Sequence, residues 1–182
     1  MTHPENGIRR LPLALTILGA LTRLLPHPPN FTPVGGMSLF AGARLSGWQC
    51  YLVPLVLMAI TDPLLQLLFG VPAYTPVTPF IYASFMIAVW IGRHLRNTSS
   101  VLRIGGATFL VSLQFFLITN FAHWLLIGMY PKTAAGLVAC YVAALPFFGR
   151  TLLGDLLYAG AFFGLYAWVT RRVVDARPAA AR

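Results

Sequence analysis

The sequence predicts an all-α integral membrane protein of six transmembrane helices, with both termini in the cytoplasm. Three observations carry this. Hydrophobic residues make up 58 % of the 182 residues and charged residues only 9 %, too little polar surface for a water-soluble domain of this size. The apolar residues fall into six stretches separated by prolines, glycines and arginines. The basic residues cluster where helices would leave the membrane: Arg9 and Arg10 before the first stretch, Arg93, Arg96 and Arg103 between the fourth and fifth, and Arg171, Arg172 and Arg177 after the last. Placing these in the cytoplasm obeys the positive-inside rule.

The formal charge of +9, from 13 Lys+Arg against 4 Asp+Glu, is therefore read as topology. Nucleic acid is not an expected partner; the lipid bilayer is. The expected layout is a cytoplasmic tail over residues 1–8, one membrane domain over 9–172 and a second cytoplasmic tail over 173–182. The N-terminus has no small-residue cleavage pattern and is expected to be a retained helix. Cys50 and Cys140 fall near opposite faces of the membrane, which argues against a disulfide.

Along the chain, the first span is expected at about residues 9–26, stopped by Pro26, Pro28 and Pro29. Residues 27–33 form an outer loop. A short helix at about 34–46 is rich in small residues (Gly35, Gly36, Ala41, Gly42, Ala43). The third span, about 48–69, contains Thr61-Asp62-Pro63, and a second stiff loop follows at 70–79. The fourth span, about 80–95, carries Tyr82. The fifth, about 104–129, carries Gln114, Asn120 and His123. Residues 134–145 are expected as a separate helix on the outer surface, ahead of a sixth span at about 147–170.

The polar residues sort to the outer end of this arrangement. His27 and Asn30 lie past the first helix with Arg23 a turn below, and Asp62 is about 10 Å in from the outer end of its helix. Tyr82, His123 and Arg150 lie within about two turns of the outer face. Asn120 and His123 are three apart and share a helical face. Asp155 is placed to pair with Arg150 or a neighbouring helix. Ionisable groups in a membrane face the bundle interior or an aqueous cavity, so His27, Asn30, Asp62, Tyr82, Asn120, His123, Arg150 and Asp155 are expected to form one outward-facing binding site. The competing reading is a purely structural network in which Asp62 and Asp155 neutralise Arg23 and Arg150. The chain contains no phosphate-binding Gly-x-x-x-x-Gly-Lys loop, no His-Glu-x-x-His run, no Gly-x-Ser-x-Gly elbow and no zinc-spaced cysteine pair. These absences disfavour an ATPase, a hydrolase or a redox enzyme. An intramembrane enzyme acting on a lipid or cofactor precursor, with Asp62 or His123 as acid or base, is the alternative.

Six short spans, stiff outer loops and a polar outer pocket resemble the substrate-binding S-components of energy-coupling-factor (ECF) vitamin transporters. The segment from Arg23 to Gly36, Arg-Leu-Leu-Pro-His-Pro-Pro-Asn-Phe-Thr-Pro-Val-Gly-Gly, is also similar to a widespread family of small, S-component-like membrane proteins. Among S-components the pattern is most similar to the solitary cobalamin transporters of the BtuM type. His27, Asp62, Tyr82 and Arg150 stand where that family places a His, an Asp, a Tyr and an Arg. Where many of its members carry a cysteine before the tyrosine, this chain has Val77 and Thr78. The resemblance implies uptake of a vitamin-like molecule at the bacterial inner membrane, with cobalamin or another corrinoid as first candidate. It implies no intrinsic cofactor, a cobalt that would approach His27 or His123, and either an ECF ATPase module as a partner or movement of the ligand by this protein alone.

Overall fold

The computed structural model describes residues 4–26 and 28–175, the backbone alone at 4–9 and 174. Among the described residues the protein is all helical, with no strand. The helices are α1 (Pro4–Thr22), α2 (Val34–Arg44), α3 (Gln49–Phe69), α4 (Thr78–Arg93), α5 (Val101–Ile127) and α6 (Ala134–Asp175). Three segments are long and apolar enough to cross a membrane: Gln49–Phe69, Val101–Ile127 and Ala134–Val173. Their outward faces carry exposed Leu52, Val56, Ile60 and Leu67 on α3, Phe109, Leu110 and Leu117 on α5, and Val142, Leu153, Leu157 and Leu165 on α6. Such a continuous apolar exterior fits a lipid solvent and not water.

The shortest helix is the centre of the fold. At 11 residues α2 is about 16 Å long, and every residue from Val34 to Ala43 is buried. It touches all five other helices. Its small residues make this possible. A Cβ on Gly42 would overlap the backbone carbonyl of Val89 on α4, and one on Gly92 would overlap the carbonyl of Leu39 on α2. The two backbones are in contact there, as small-residue packing permits in a membrane. On another side Phe40 meets Phe162, Phe163 and Tyr166 of α6, with ring centroids 5.2–5.9 Å apart. Arg44 closes the helix. Its guanidinium donates to the carbonyls of Leu95 and Thr98 at 3.1 and 2.8 Å and lies 5.0 Å from the Phe163 ring centroid.

Several expected boundaries shift. α1 starts at Pro4, inside the segment read as a tail, because proline is well suited to the first helical turn. It ends at Thr22 and not at 26. Residues 23–25 tighten into turns whose amides bond three residues back, to Ala20, Leu21 and Thr22, as the chain prepares for Pro26. The separate surface helix at 134–145 is corrected: α6 is one helix of 42 residues with Pro146 inside it. Proline removes one N–H and frees the carbonyl of Val142, but the rest of the ladder carries the helix through, as membrane helices tolerate. The segment before Pro146 packs along α5, where the Tyr141 hydroxyl donates to the Leu117 carbonyl at 2.8 Å. α6 also runs past residue 172 to Asp175.

The loops of the polar end are tied down. Gly70 and Gly128 end α3 and α5 at φ 69° and 74°, the left-handed cap that non-glycine residues adopt only with strain. The Gln66 side chain accepts from the Ala73 amide at 3.0 Å, pinning the α3–α4 loop. Gly70→Ala is therefore expected to cost about 1–2 kcal/mol, read as a lower Tm in detergent, with the helical circular-dichroism spectrum retained.

Candidate ligand-binding cavity

The three loops α1–α2, α3–α4 and α5–α6 lie at one end of the bundle, opposite Arg44, Arg93 and Arg96. A cavity of about 310 Å³ opens among the helices at the loop end, lined by residues from α2 to α6 and from the α1–α2 and α3–α4 loops. Two carboxylates define it, and they are satisfied in different ways.

Asp62 sits mid-way along α3 beside Pro63, which leaves the Ala59 carbonyl without its helical partner. Both carboxylate oxygens are engaged from other elements. Arg23, in the turn after α1, places Nη1 2.5 Å from Asp62 Oδ1. The Tyr82 hydroxyl, from the second turn of α4, donates to Oδ2 at 2.6 Å. Arg23 Nη1 also donates to the Thr61 hydroxyl at 2.8 Å, and that hydroxyl in turn donates to the Met58 carbonyl at 3.3 Å. The Arg23 and Asp62 side chains are only 16 % and 8 % exposed, so this ion pair lies largely away from solvent and is closed by hydrogen bonds on each member.

Asp155 on α6 is 3 % exposed and reaches the cavity from the opposite side. Its Oδ1 accepts from the Gly36 amide at 3.1 Å, in the first turn of α2, where Pro33 provides no side-chain cap. Its Oδ2 lies 2.7 Å from the Ser112 hydroxyl of α5. The carboxylate thus caps α2 from another helix, filling an amide that the helix itself leaves open. Gly35 is required for this approach, since a Cβ there would overlap the Asp155 carboxylate.

The eight expected site residues divide accordingly. Asp62, Tyr82, Asp155 and Asn30 line the cavity together. Asn30 holds φ 64°, a left-handed conformation asparagine tolerates, and also borders two flanking cavities. Asn120 lines a separate crevice between α5 and α6, and its amide donates back to the Phe116 carbonyl at 2.8 Å. His123 is half-buried on α5, outside the main cavity. Arg150 is exposed and does not line the cavity. Of the two partners expected for Asp155, Arg150 or a neighbouring helix, the structure has the second: five residues along a helix turn Arg150 and Asp155 to different faces, and Asp155 bonds inward to Gly36 of α2 and Ser112 of α5. His27 lies outside the described residues. Neither cysteine lines the cavity; both are free and buried.

Sequence reasoning placed Arg23 near the site but did not count it in. It also missed Ser112 and the hydroxyl rim of Thr32, Thr75, Thr78 and Thr151. Lone serines and threonines carry no sequence signal of their own. The apolar wall is Leu65, Ile81, Phe85, Val111 and Phe115, with the rings of Phe85 and Phe115 stacked at 5.1 Å.

Comparison with known proteins adds a family. No curated protein and no solved structure matches the chain. One family model does, over residues 6–180, and its description is "Family of unknown function (DUF6580)". The match spans nearly the whole chain, and the protein belongs to that family.

Proposed function

We propose that this protein captures a small molecule from the outer side of the membrane, as a multi-pass protein of the bacterial inner membrane with both termini in the cytoplasm. The observation that carries the reading is a hydroxyl-rimmed cavity, holding two buried carboxylates and an arginine, at the loop end of a helical bundle whose exterior is apolar. The orientation rests on the arginines at the opposite end. α1, α2 and α4 complete a six-helix bundle around the three long helices, with α2 reaching the bilayer interior behind the 28–33 loop.

A vitamin-like ligand, with cobalamin or another corrinoid first, and dependence on an ECF ATPase module both rest on the resemblance of the Arg23–Gly36 segment and of Asp62 and Tyr82. A cavity of about 310 Å³ is at the small end of ligand pockets. It favours a compact ligand; a whole corrinoid requires the 28–33 and 70–77 loops to part. A second reading has a specific observation behind it: both oxygens of Asp62 are already engaged within the protein, by Arg23 and Tyr82, as in a structural network.

The test is titration of the purified protein in detergent with cobalamin, cobinamide and a panel of smaller vitamins, followed by calorimetry and Tm shift. Saturable binding that is lost in folded Tyr82→Phe or Asp62→Asn protein supports capture. Absence of binding to any compound by folded protein leaves the structural reading. Arg150→Gln is expected to change neither affinity nor Tm measurably, because Arg150 is exposed and outside the cavity; a loss of binding in that variant would move the site toward the α5–α6 crevice.

A further inference from the structure

The charges of the cavity do not balance. Arg23 is matched by Asp62, which also receives the Tyr82 hydroxyl. Asp155 has no cationic partner among the described residues. The first turn of α2 offers it about half a unit of positive charge through the helix dipole, and the Ser112 hydroxyl is neutral. A buried carboxylate without a full counter-charge is unfavourable and calls for a proton or a cation. Phe85 and Phe115 line the same cavity; they stack on each other at 5.1 Å, and the ring face that each leaves uncovered attracts cations. Carboxylate and aromatic faces together are the chemistry that recognises an organic ammonium group.

The hydrogen bonds around Asp155 supply the second half of the argument. The Gly36 amide can only donate, so Oδ1 is always an acceptor. Ser112 Oγ lies 2.7 Å from Oδ2 and 3.2 Å from the Thr108 carbonyl, and its single proton serves one of them at a time. With Asp155 ionised, Ser112 donates to Oδ2. With Asp155 protonated, Oδ2 donates to Ser112, whose own proton turns to Thr108. Both states are satisfied without moving a heavy atom.

We propose that the cavity takes a compact organic cation, seating its ammonium group against Asp155 and the Phe85 and Phe115 rings, and that its entry exchanges for a proton on Asp155 that leaves to the outer solution. This deepens the capture reading above and rests on it. The groups that bear on the exchange are few. Arg23, Asp62 and Tyr82 share the cavity; α2 and α5 face Asp155 with Gly35, Gly36 and Ser112, none of which titrates in the working range; and on α6 Arg150 points elsewhere.

The experiment uses two charge-matched pairs on the purified full chain: choline against 3,3-dimethylbutan-1-ol, and phenethylammonium against 2-phenylethanol. The expected result is at least tenfold tighter binding of each cation than of its neutral isostere. Choline keeps its charge at every pH, so its affinity should rise by roughly tenfold per pH unit while Asp155 is still protonated and then level off. Asp155→Asn should remove both the preference and the pH dependence. Because that variant also alters the α2 cap, Phe115→Leu provides a second test and should weaken the cations more than the neutral isosteres. Equal binding within each pair, or a preference that survives in Asp155→Asn, overturns the proposal. Binding of neutral or anionic vitamins without any cation overturns it while the capture reading stands. No binding of any compound to folded protein overturns both.

Discussion

Asp62→Asn is expected to be among the most damaging single substitutions in this protein, costing about 3–5 kcal/mol as the loss of one member of a buried ion pair does. The reason lies in what remains. Arg23 is 16 % exposed and keeps its charge, facing the Thr61 hydroxyl and a neutral amide in place of the carboxylate. Tyr82 in turn loses a charged acceptor. The measurement is thermal or denaturant unfolding in detergent. A double-mutant cycle separates the charge from the shape: Arg23→Gln combined with Asp62→Asn should cost clearly less than the sum of the two single changes, because the pair then leaves no unmatched charge. Additive losses would mean that the 2.5 Å pair does not operate as a unit in the folded protein. Tyr82→Phe removes only one donor to the carboxylate and should cost about 1.5–3 kcal/mol.

The second large effect is expected where no chemistry is involved. At the crossing of α2 and α4, Gly42 and Gly92 each face the other helix's backbone carbonyl, at Val89 and Leu39 respectively. A methyl group cannot be accommodated by turning a side chain; the helices must separate. Gly42→Ala should cost about 1–3 kcal/mol or more from overpacking alone. Separation also disturbs α2 as a whole, which positions Gly35 and Gly36 against Asp155, so any cavity ligand should bind less well despite the distance. Gly42→Ala with Gly92→Ala should be less than additive, since the first methyl already opens the space for the second. By contrast Gly160→Ala, on a face of α6 where a Cβ meets nothing within 4 Å, should leave Tm nearly unchanged. If Gly42→Ala were equally silent, the close backbone contact would be wrong.

Much of the fold was legible in the chain because lipid imposes a simple rule. Backbone amides and carbonyls must be satisfied within each segment, so apolar runs become helices and prolines, glycines and arginines mark their ends. The bounds expected for α3 nearly coincide with those observed, since Gly70 ends it in a conformation that favours glycine. α6 was misjudged at Pro146, where the sequence signal for a break is strong but the packing of Tyr141 and Phe148 against α5 carries the helix across. The candidate site was legible only as composition by depth. Asp62, Tyr82 and Asp155 are rare polar residues in apolar helices, and their inward direction follows from cost alone. That same argument drew in His123 and Arg150 at the same height, because depth carries no information about helix rotation.

By itself, then, the sequence determined that this is a helical membrane protein with a basic end and a polar end, for hydropathy and charge are properties of local runs of residues. Only the tertiary structure decided which carboxylate has a cation and which has none among the described residues. Arg23 and Asp62 are 39 residues apart in the chain, and Gly36 and Asp155 are 119 apart. Their meeting depends on how far α2 sinks between its neighbours and how each helix is turned, and that is set by the close approach at Gly42 and Gly92 and by aromatic packing around Phe40.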